Sequence, residues 1–431
     1  MKQTWLIALA MVAGPLQAQQ LPTVTLEEAV RRAQQALPTV VQARSSVRTA
    51  EAQVRSAKGA YLPSLTANTT GATNFSAGPS RTDPVTQQVI SGDRTSTSVS
   101  MGLSASVDLF TGFRRGADSR SARATRSAAE ASLTDQEFQA ALSATQQFFD
   151  ALAAQQLLAV REASVKLAEQ QLVISVAKLR VGQATRSDSL RSLVNLGTAQ
   201  SNLITARSDM ARTQALLGRT IGVDGRVQAT DDSAFYQTSV VLDTTQLTQE
   251  ALARSPQVQA AEASAMAANA SVRSAKAQYF PTLALSGNTS WSGNNSLDYQ
   301  FFASRGLTLA LSWPIFNRFQ REQTIENRLA ALDNAEAGAA DAKRNVQASL
   351  ATQYAALDAA RARIDISHTS IEAAQEDLRV VNARYQAGAA TILDVLTSQQ
   401  ALAQAQVDAV NARFDYLKAK AQIEALIGRH L

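Results

Sequence analysis

A twelve-residue phrase occurs twice in this chain and constrains its fold more than any other feature. The segment VRSAKGAYLPSL begins at Val54, and VRSAKAQYFPTL begins at Val272, 218 residues later. Eight of the twelve positions are identical and in register, which chance composition does not produce. We therefore predict that the chain is a tandem duplication and that the duplicated unit carries the function.

The first residues are typical of a secretory signal. Lys2 precedes an apolar run over 5–13, a Gly-Pro pair and a small residue at Ala18. The alternative is a membrane anchor, but the run is shorter than the about 20 residues that a spanning helix needs. We expect a cleaved signal over 1–18 and a mature chain outside the cytoplasm. The sequence contains no cysteine, so neither disulfides nor a lipid-accepting thiol are expected.

The repeated phrase is predicted to be a junction between a helix and a strand. A short helix opens each copy, and Pro38 or Pro256 separates it from a second helix. That second helix is expected to end before Pro63 or Pro281, because proline favours extended geometry in the preceding residue.

A long β-hairpin is predicted after each junction, over about 64–110 and about 282–315. In SVSMGLSASVDLF, which ends at Phe110, apolar and polar residues alternate without a fault, and GLTLALSW, which ends at Trp313, does the same. One apolar face and one Ser/Thr/Gly-rich face are typical of outer-membrane strands, the alternative being a soluble hairpin packed on helices. Four strands cannot close a barrel and lipid does not tolerate open edges, so the sequence predicts a barrel shared between chains.

The rest of each copy is predicted to be helical, with long helices over about 113–181 and about 319–387. Each helix would be roughly 100 Å long. Two heptad seams lie on opposite sides of each helix, which indicates a neighbour on either side, as in a cylinder of helices. In the first copy the seams are Leu158, Val165, Leu172, Leu179 and Val160, Leu167, Ile174, Val181. In the second they are Ile364, Ile371, Leu378, Tyr385 and Ile366, Ala373, Val380, Ala387.

Each long helix is predicted to end at a glycine turn, at Gly182 and Gly388, before return helices over about 185–220 and about 391–428. Thr185 and Thr391 can cap the return helices, with Asp188 and Asp394 in their first turns, and capping alone explains these residues adequately. The structural repeats are therefore expected to cover 19–222 and 243–431, joined by a linker or equatorial segment over 223–242.

This order of elements resembles TolC-type outer-membrane efflux proteins over essentially the whole mature chain. Three motifs carry the resemblance: the paired AYLP and QYFP junctions, DLFTGFRR at 108–115 answering PIFNRFQR at 314–321, and TILDVL at 391–396. The resemblance implies a mainly α fold with a membrane β-barrel part. Three chains would form a 12-stranded outer-membrane β-barrel, continued by a long periplasmic α-helical barrel that tapers to a closed end.

The function implied is passive conduction in a tripartite efflux system, with an inner-membrane pump and a periplasmic adaptor delivering cargo to the closed end. A type I protein secretion channel is an alternative with different cargo, and a periplasmic coiled-coil adaptor or scaffold is an alternative of another class. The alternating strands argue against the scaffold. The sequence contains no catalytic, cofactor or metal motif, and the two histidines, His368 and His430, stand alone. It also has no basic stripe with interleaved stacking aromatics, so nucleic-acid binding is not expected.

The resemblance also implies two sites at the turns. Adaptor docking is expected at Arg180, Val181, Gly182, Gln183, Ala184, Ala387, Gly388 and Ala389. Asp394 matches an acidic residue that rings the closed pore, where it would favour cations and bind multivalent cations as a plug.

The sequence departs from the family pattern at the gate, because Thr397 replaces a second carboxylate and Ala390 a gate-locking arginine. The closed state is therefore expected to depend on Tyr385 bonding to Asp188 or Ser187 of the neighbouring turn, with weaker cation selectivity. The alternative for Asp394 is a helix-start residue that faces another chain.

Overall fold

The computed structural model describes residues 21–90, 94–232, 235, 243–294 and 300–429. Outside these residues lie the predicted signal, most of the second half of the predicted linker, and His430. The chain divides into two compact units. Unit 1 comprises 21–41, 136–251 and 347–429 of the described chain, and unit 2 comprises 42–135 and 252–346.

Long helices dominate the described residues. The helices are α1 (Leu26–Ala36), α2 (Pro38–Gly59), α3 (Arg114–Arg180), α4 (Arg186–Thr220), α5 (Thr244–Arg254), α6 (Pro256–Lys276), α7 (Gln320–Gln386) and α8 (Ile392–Ile427). The strands are β1 (Thr23–Val24), β2 (Ser64–Ser76), β3 (Arg81–Thr82), β4 (Val89–Ile90), β5 (Arg94–Phe110), β6 (Gln228–Ala229), β7 (Thr282–Asn294) and β8 (Phe302–Ser312). No helix of the described chain is both long enough and apolar enough to cross a membrane.

Unit 2 is built on a four-stranded antiparallel sheet in the order β2-β5-β7-β8. Each predicted hairpin is present, and β5 of the first pairs with β7 of the second. The alternation of apolar and polar residues gives the sheet two chemically different faces. Every residue of β8, and all but one residue of β2, is exposed, so both edge strands lack a covering layer in a single chain.

The repeated junction encloses a cation–π contact that the sequence did not reveal. The Arg321 guanidinium lies 3.9 Å from the centroid of the Tyr279 ring, and Arg115 lies 4.9 Å from that of Tyr61. Arg321 also donates to the carbonyl of Pro314 at 3.2 Å, and Arg115 to that of Leu109 at 3.1 Å. The tyrosine of the twelve-residue phrase therefore joins the end of a helix to the arginine that begins the following long helix.

Unit 1 has an aromatic core where α3, α4 and α8 meet the short parallel pair β1-β6. Phe148, Phe149 and Phe414 are almost fully buried there, and Phe149 and Phe414 have ring centroids 6.3 Å apart. Leu152 and Leu217 pack on the same cluster. Burial of such large apolar side chains stabilises the packing of these long, alanine-rich helices against one another.

The second predicted seam is partly covered on α3 but open on α7. Leu167 and Ile174, from the second seam of α3, pack against a buried cluster of α7 and α8 that contains Leu378 and Tyr385. The second seam of α7 stays open, with Ile366 64% and Val380 39% exposed. The described chain supplies no further helix to that side of α7, so a neighbour on this side stays a prediction for the assembled protein.

Candidate functional site: the turns at the ends of the long helices

Both long helices, α3 and α7, end within unit 1 in the same kind of hydrogen-bonded turn. Gly182 and Gly388 have φ +76°, the left-handed region that glycine enters without steric cost. The N–H of Gly182 donates to the carbonyl of Leu179 at 3.1 Å, and that of Gln183 to Lys178 at 2.9 Å. Gly388 and the residue after it repeat this pair of bonds on α7. The two bonds satisfy carbonyls that the end of a helix would otherwise leave unpaired, so each turn is a Schellman motif.

A reciprocal capping box begins each return helix. The Asp394 Oδ2 atom accepts from the backbone N–H and the hydroxyl of Thr391, both at 2.8 Å, and Asp188 does the same with Thr185. The bonds from Thr391 hold the pKa of Asp394 below its usual range. Within one chain Asp394 therefore caps the start of α8, and its carboxylate remains charged and solvent-exposed.

Tyr385 occupies the centre of the buried cluster beside these turns. Its side chain is 7% exposed and packs with Leu378, Ile392 and Val395. Its hydroxyl has no hydrogen-bond partner among the described residues, so the expected bond to Asp188 or to the exposed Ser187 is not made within this chain. Burial, and then the nearby charge of Asp188, raise the pKa of Tyr385, which keeps the phenol protonated at neutral pH.

The residues expected to dock an adaptor lie at the two turns. Arg180, Gly182 and Gln183 are exposed, Val181 is 68% exposed, and Ala184 is half-buried. In the second copy Ala387, Gly388 and Ala389 are all exposed. A Cβ atom added at either glycine would meet no atom within 4 Å. Both turns therefore offer small, uncovered surfaces on which another helix could pack closely.

Lys178 connects the two long helices, and sequence reasoning missed it. Its Nζ atom donates to the carbonyls of Tyr385 and Gln386 at the end of α7, and it lies 4.3 Å from the centroid of the Tyr385 ring. A cation in this place adds a donor to both carbonyls, of which that of Tyr385 already accepts from Gly388, and it interacts favourably with the negative end of the helix dipole. The signal available in the sequence was its position in the last turn of α3, which matches Arg384 in the second copy.

We expect Lys178→Met to loosen the end of α7. Loss of a contact worth about 0.5–2 kcal/mol should speed hydrogen exchange of the Gly388 and Ala389 amides between about twofold and thirtyfold. Arg180→Met is the matched control, since Arg180 is exposed in the same last turn of α3. Equal exchange in the wild-type protein and Lys178→Met would show that Lys178 does not hold the two helices together.

The comparison with family models identifies the chain. The model described as outer membrane efflux protein matches residues 29–223 and 247–429, one segment in each repeat. The chain belongs to the outer membrane efflux protein family. The family resemblance read from the sequence is thereby confirmed, and this efflux protein is an outer-membrane protein. Its family and its structural neighbours are channels rather than enzymes.

Curated relatives agree with this assignment. The outer membrane efflux protein BepC of Brucella suis is 24% identical over 90% of this chain and 81% of its own length. The pyoverdine export outer membrane protein OpmQ of Pseudomonas aeruginosa is 31% identical, over 42% of this chain and 38% of its own length. The chain thus aligns with well under half of that Pseudomonas protein, but with most of BepC.

Solved structures show the same fold. The outer membrane channel CmeC of Campylobacter jejuni has a TM-score of 0.79 at 16% identity, covering 94% of this chain and 85% of the other. The outer membrane protein VceC of Vibrio cholerae has a TM-score of 0.74 at 18% identity, covering 94% and 96%. The mainly helical fold with a β part is therefore that of TolC-type channels, as predicted.

Proposed function

We propose that this protein is the passive outer-membrane conduit of a tripartite efflux system, receiving cargo from an inner-membrane pump through a periplasmic adaptor. The observation that carries the proposal is the four-stranded sheet with two uncovered edge strands, in a chain of a family of outer-membrane efflux proteins. A periplasmic scaffold would have no use for such a sheet.

The assembled conduit is a homotrimer in this proposal. Four strands from each of three chains close a twelve-stranded barrel, which removes every exposed edge from lipid. The repeats at 19–222 and 243–431 supply equivalent hairpins and long helices, joined by the segment 223–242. The open second seam of α7 is covered by a helix of the next chain, which accounts for the exposure of Ile366 and Val380.

The cargo is proposed to be a small molecule rather than a secreted protein. Two relatives, from Pseudomonas aeruginosa and Pseudomonas putida, are named for pyoverdine export, and no observation on this chain favours protein secretion. The adaptor is proposed to dock at the two glycine turns, where backbone and small side chains are exposed.

The entrance of the conduit is proposed to carry a ring of three Asp394 carboxylates. Each carboxylate is exposed at the start of α8, and the bonds from Thr391 fix its position. Tyr385 lies at the end of α7, and Asp188 and Ser187 lie at the start of α4. A hydrogen bond from the Tyr385 hydroxyl to Asp188 or Ser187 of a neighbouring chain would complete the closed state. Negative charge at a constriction attracts cations and holds multivalent cations as blockers.

Single-channel recording tests the conduit and its entrance together. We expect the purified protein to form cation-selective conductances in planar bilayers that trivalent cations block, and Asp394→Asn to reduce both selectivity and block. Because the pKa of Asp394 is held low by Thr391, the block should persist when the pH is lowered from about 7 to about 5.

Asp341→Asn is the control for this recording, since Asp341 is an exposed carboxylate of α7 that lies outside the turns. Absence of any conductance would contradict the channel function. An unchanged reversal potential in Asp394→Asn would remove Asp394 from the pore while leaving the channel function standing.

A further inference from the structure

We propose that Arg305 and Trp291 form a binding site for the phosphate of a glycolipid, of the lipid A class, in the outer leaflet of the outer membrane. The proposal rests on the conduit proposed above, because the orientation of that conduit decides which ends of the strands face the outside of the cell. It adds a ligand and a site that the conduction of cargo does not require.

The helices fix which end of the sheet carries the hairpin loops. α2 and α6 lead into β2 and β7, and β5 and β8 lead into α3 and α7. Antiparallel pairing therefore puts all four helical connections at one end of the sheet and both hairpin loops at the other. In the proposed conduit the helices are periplasmic, so the strand ends beside the hairpin loops lie at the outer surface of the membrane.

Arg305 is the one charged side chain on the apolar face of the sheet, among the described strand residues. Paired residues of neighbouring strands point to the same face, so Arg305 shares this face with Thr289, Leu103 and Leu309. The Arg305 side chain is exposed and makes no ion pair or hydrogen bond within the described chain. In a closed barrel this face is the lipid-facing one, so the guanidinium needs a partner from the membrane.

The first hairpin shows that the sheet does not need an arginine at this position. The pair Gly71↔Val99 of the first hairpin is equivalent to Thr289↔Arg305 of the second, by the offsets of 218 and 206 residues that relate the strands. Valine occupies the position in one copy and arginine in the other, with the same pairing. The cation therefore serves a purpose other than formation of the hairpin.

Two tryptophans on the same face give the depth of Arg305 in the membrane. Trp313 directly follows β8, and Trp291 pairs with Ala303, ten residues earlier along β8. At about 3.3 Å per residue and a tilt of about 40°, ten residues span about 25 Å in height, the height of the apolar band between the aromatic girdles of outer-membrane barrels. Arg305 is two residues inside the outer limit, a distance that its side chain can span to reach the headgroups.

The arginine and the outer tryptophan can hold one phosphate between them. They are diagonal neighbours on paired strands, since Trp291 pairs with Ala303 and Arg305 with Thr289. Trp291 is 39% exposed, and its indole N–H has no acceptor within the described chain. A guanidinium binds phosphate through two parallel hydrogen bonds, and an indole N–H adds a third donor. Among the described strand residues no carboxylate lies on this face to repel an anion.

Binding of lipid A tests the site directly. Native mass spectrometry of the purified protein in mild detergent would compare diphosphoryl lipid A with the same lipid after removal of its phosphates. We expect the wild type to prefer the phosphorylated lipid. Arg305→Val, which introduces the residue of the first hairpin, should bind phosphorylated lipid A about tenfold more weakly and bind the dephosphorylated lipid as before. Trp291→Phe keeps the ring and removes the N–H, so it should cause a smaller loss.

Two further variants separate the phosphate contact from charge in general. Arg305→Lys should retain part of the preference, because an ammonium attracts phosphate without the bidentate geometry. Arg361→Val removes the same charge from an exposed position of α7 and should bind both lipids as the wild type does. Equal binding of the two lipids to the wild type, or equal loss in Arg305→Val and Arg361→Val, would overturn the site. A smaller oligomer of Arg305→Val in lipid-free detergent would assign Arg305 to assembly and would also overturn it.

Surface labelling distinguishes a failure of this site from a failure of the conduit. Val85 lies between β3 and β4 in the first hairpin loop and is 88% exposed, and the chain has no cysteine of its own. Val85→Cys should react with a membrane-impermeant maleimide on intact cells. Labelling only after lysis would show that the orientation is wrong, and both proposals would fall. Labelling on intact cells together with lipid binding that does not depend on Arg305 would remove the site and leave the conduit standing.

Discussion

Efflux is expected to fail when Gly388 is replaced by leucine, although the protein should still assemble in the outer membrane. The glycine has φ +76°, where an L residue costs about 1–2 kcal/mol, and its neighbourhood contains no atom within 4 Å to clash with a new Cβ. The damage to the fold is therefore local and small. The damage to docking is large, because a leucine side chain would stand on the exposed turn where an adaptor helix must approach.

Two control variants separate backbone strain from surface blocking. Gly388→Asn introduces a residue that tolerates the left-handed region, so the turn should be retained. Because asparagine is smaller than leucine, this variant should lose less efflux than Gly388→Leu. Gly338→Leu introduces the same bulk within α7, again with nothing within 4 Å, and should leave efflux intact.

The measurement is the sensitivity of a complemented deletion strain to exported compounds, with the assembled protein quantified in outer-membrane fractions. Photo-crosslinkers at Gln183 and Ala389 should capture the adaptor in the wild-type protein and lose it in Gly388→Leu. Wild-type efflux in Gly388→Leu, or no adaptor captured from either position, would show that the turns are not the docking site.

Assembly itself is expected to fail when Leu309 is replaced by arginine. Leu309 lies in β8, is 62% exposed, and faces the same side as its pairing partner Leu285. An arginine on the lipid face costs about 2–4 kcal/mol near the middle of the bilayer, a large fraction of the about 5–15 kcal/mol that keeps a typical protein folded. We expect little heat-modifiable protein in the outer membrane, and the same for Leu103→Arg in the first hairpin.

Thr308→Arg is the matched control for this prediction. Thr308 is the neighbour of Leu309 in β8 and therefore points to the opposite face of the sheet. An arginine there should remain in water and leave the amount of assembled protein near that of the wild type. Equal loss in both variants, or in neither, would contradict the assignment of the Leu309 face to lipid.

The sequence alone determined the elements and their order. Period-two alternation over ten or more residues leaves little choice except a strand with two different faces, and it predicted β5 and β8 to within a few residues. Proline placed the junctions, and the absence of proline over more than sixty residues predicted α3 and α7. The threonine and aspartate of each capping box are local signals, three residues apart, and the structure forms both boxes.

What only the tertiary structure decided is which of these elements touch. The pairing of β5 with β7, the cation–π contact of Arg321 with Tyr279, and the bond from Lys178 to the end of α7 all join residues that are distant in sequence. Periodicity specifies the face that a residue occupies but not the neighbour that the face meets. Tyr385 shows the difference: its heptad position predicted burial, whereas the lack of a partner for its hydroxyl followed from the packing around it.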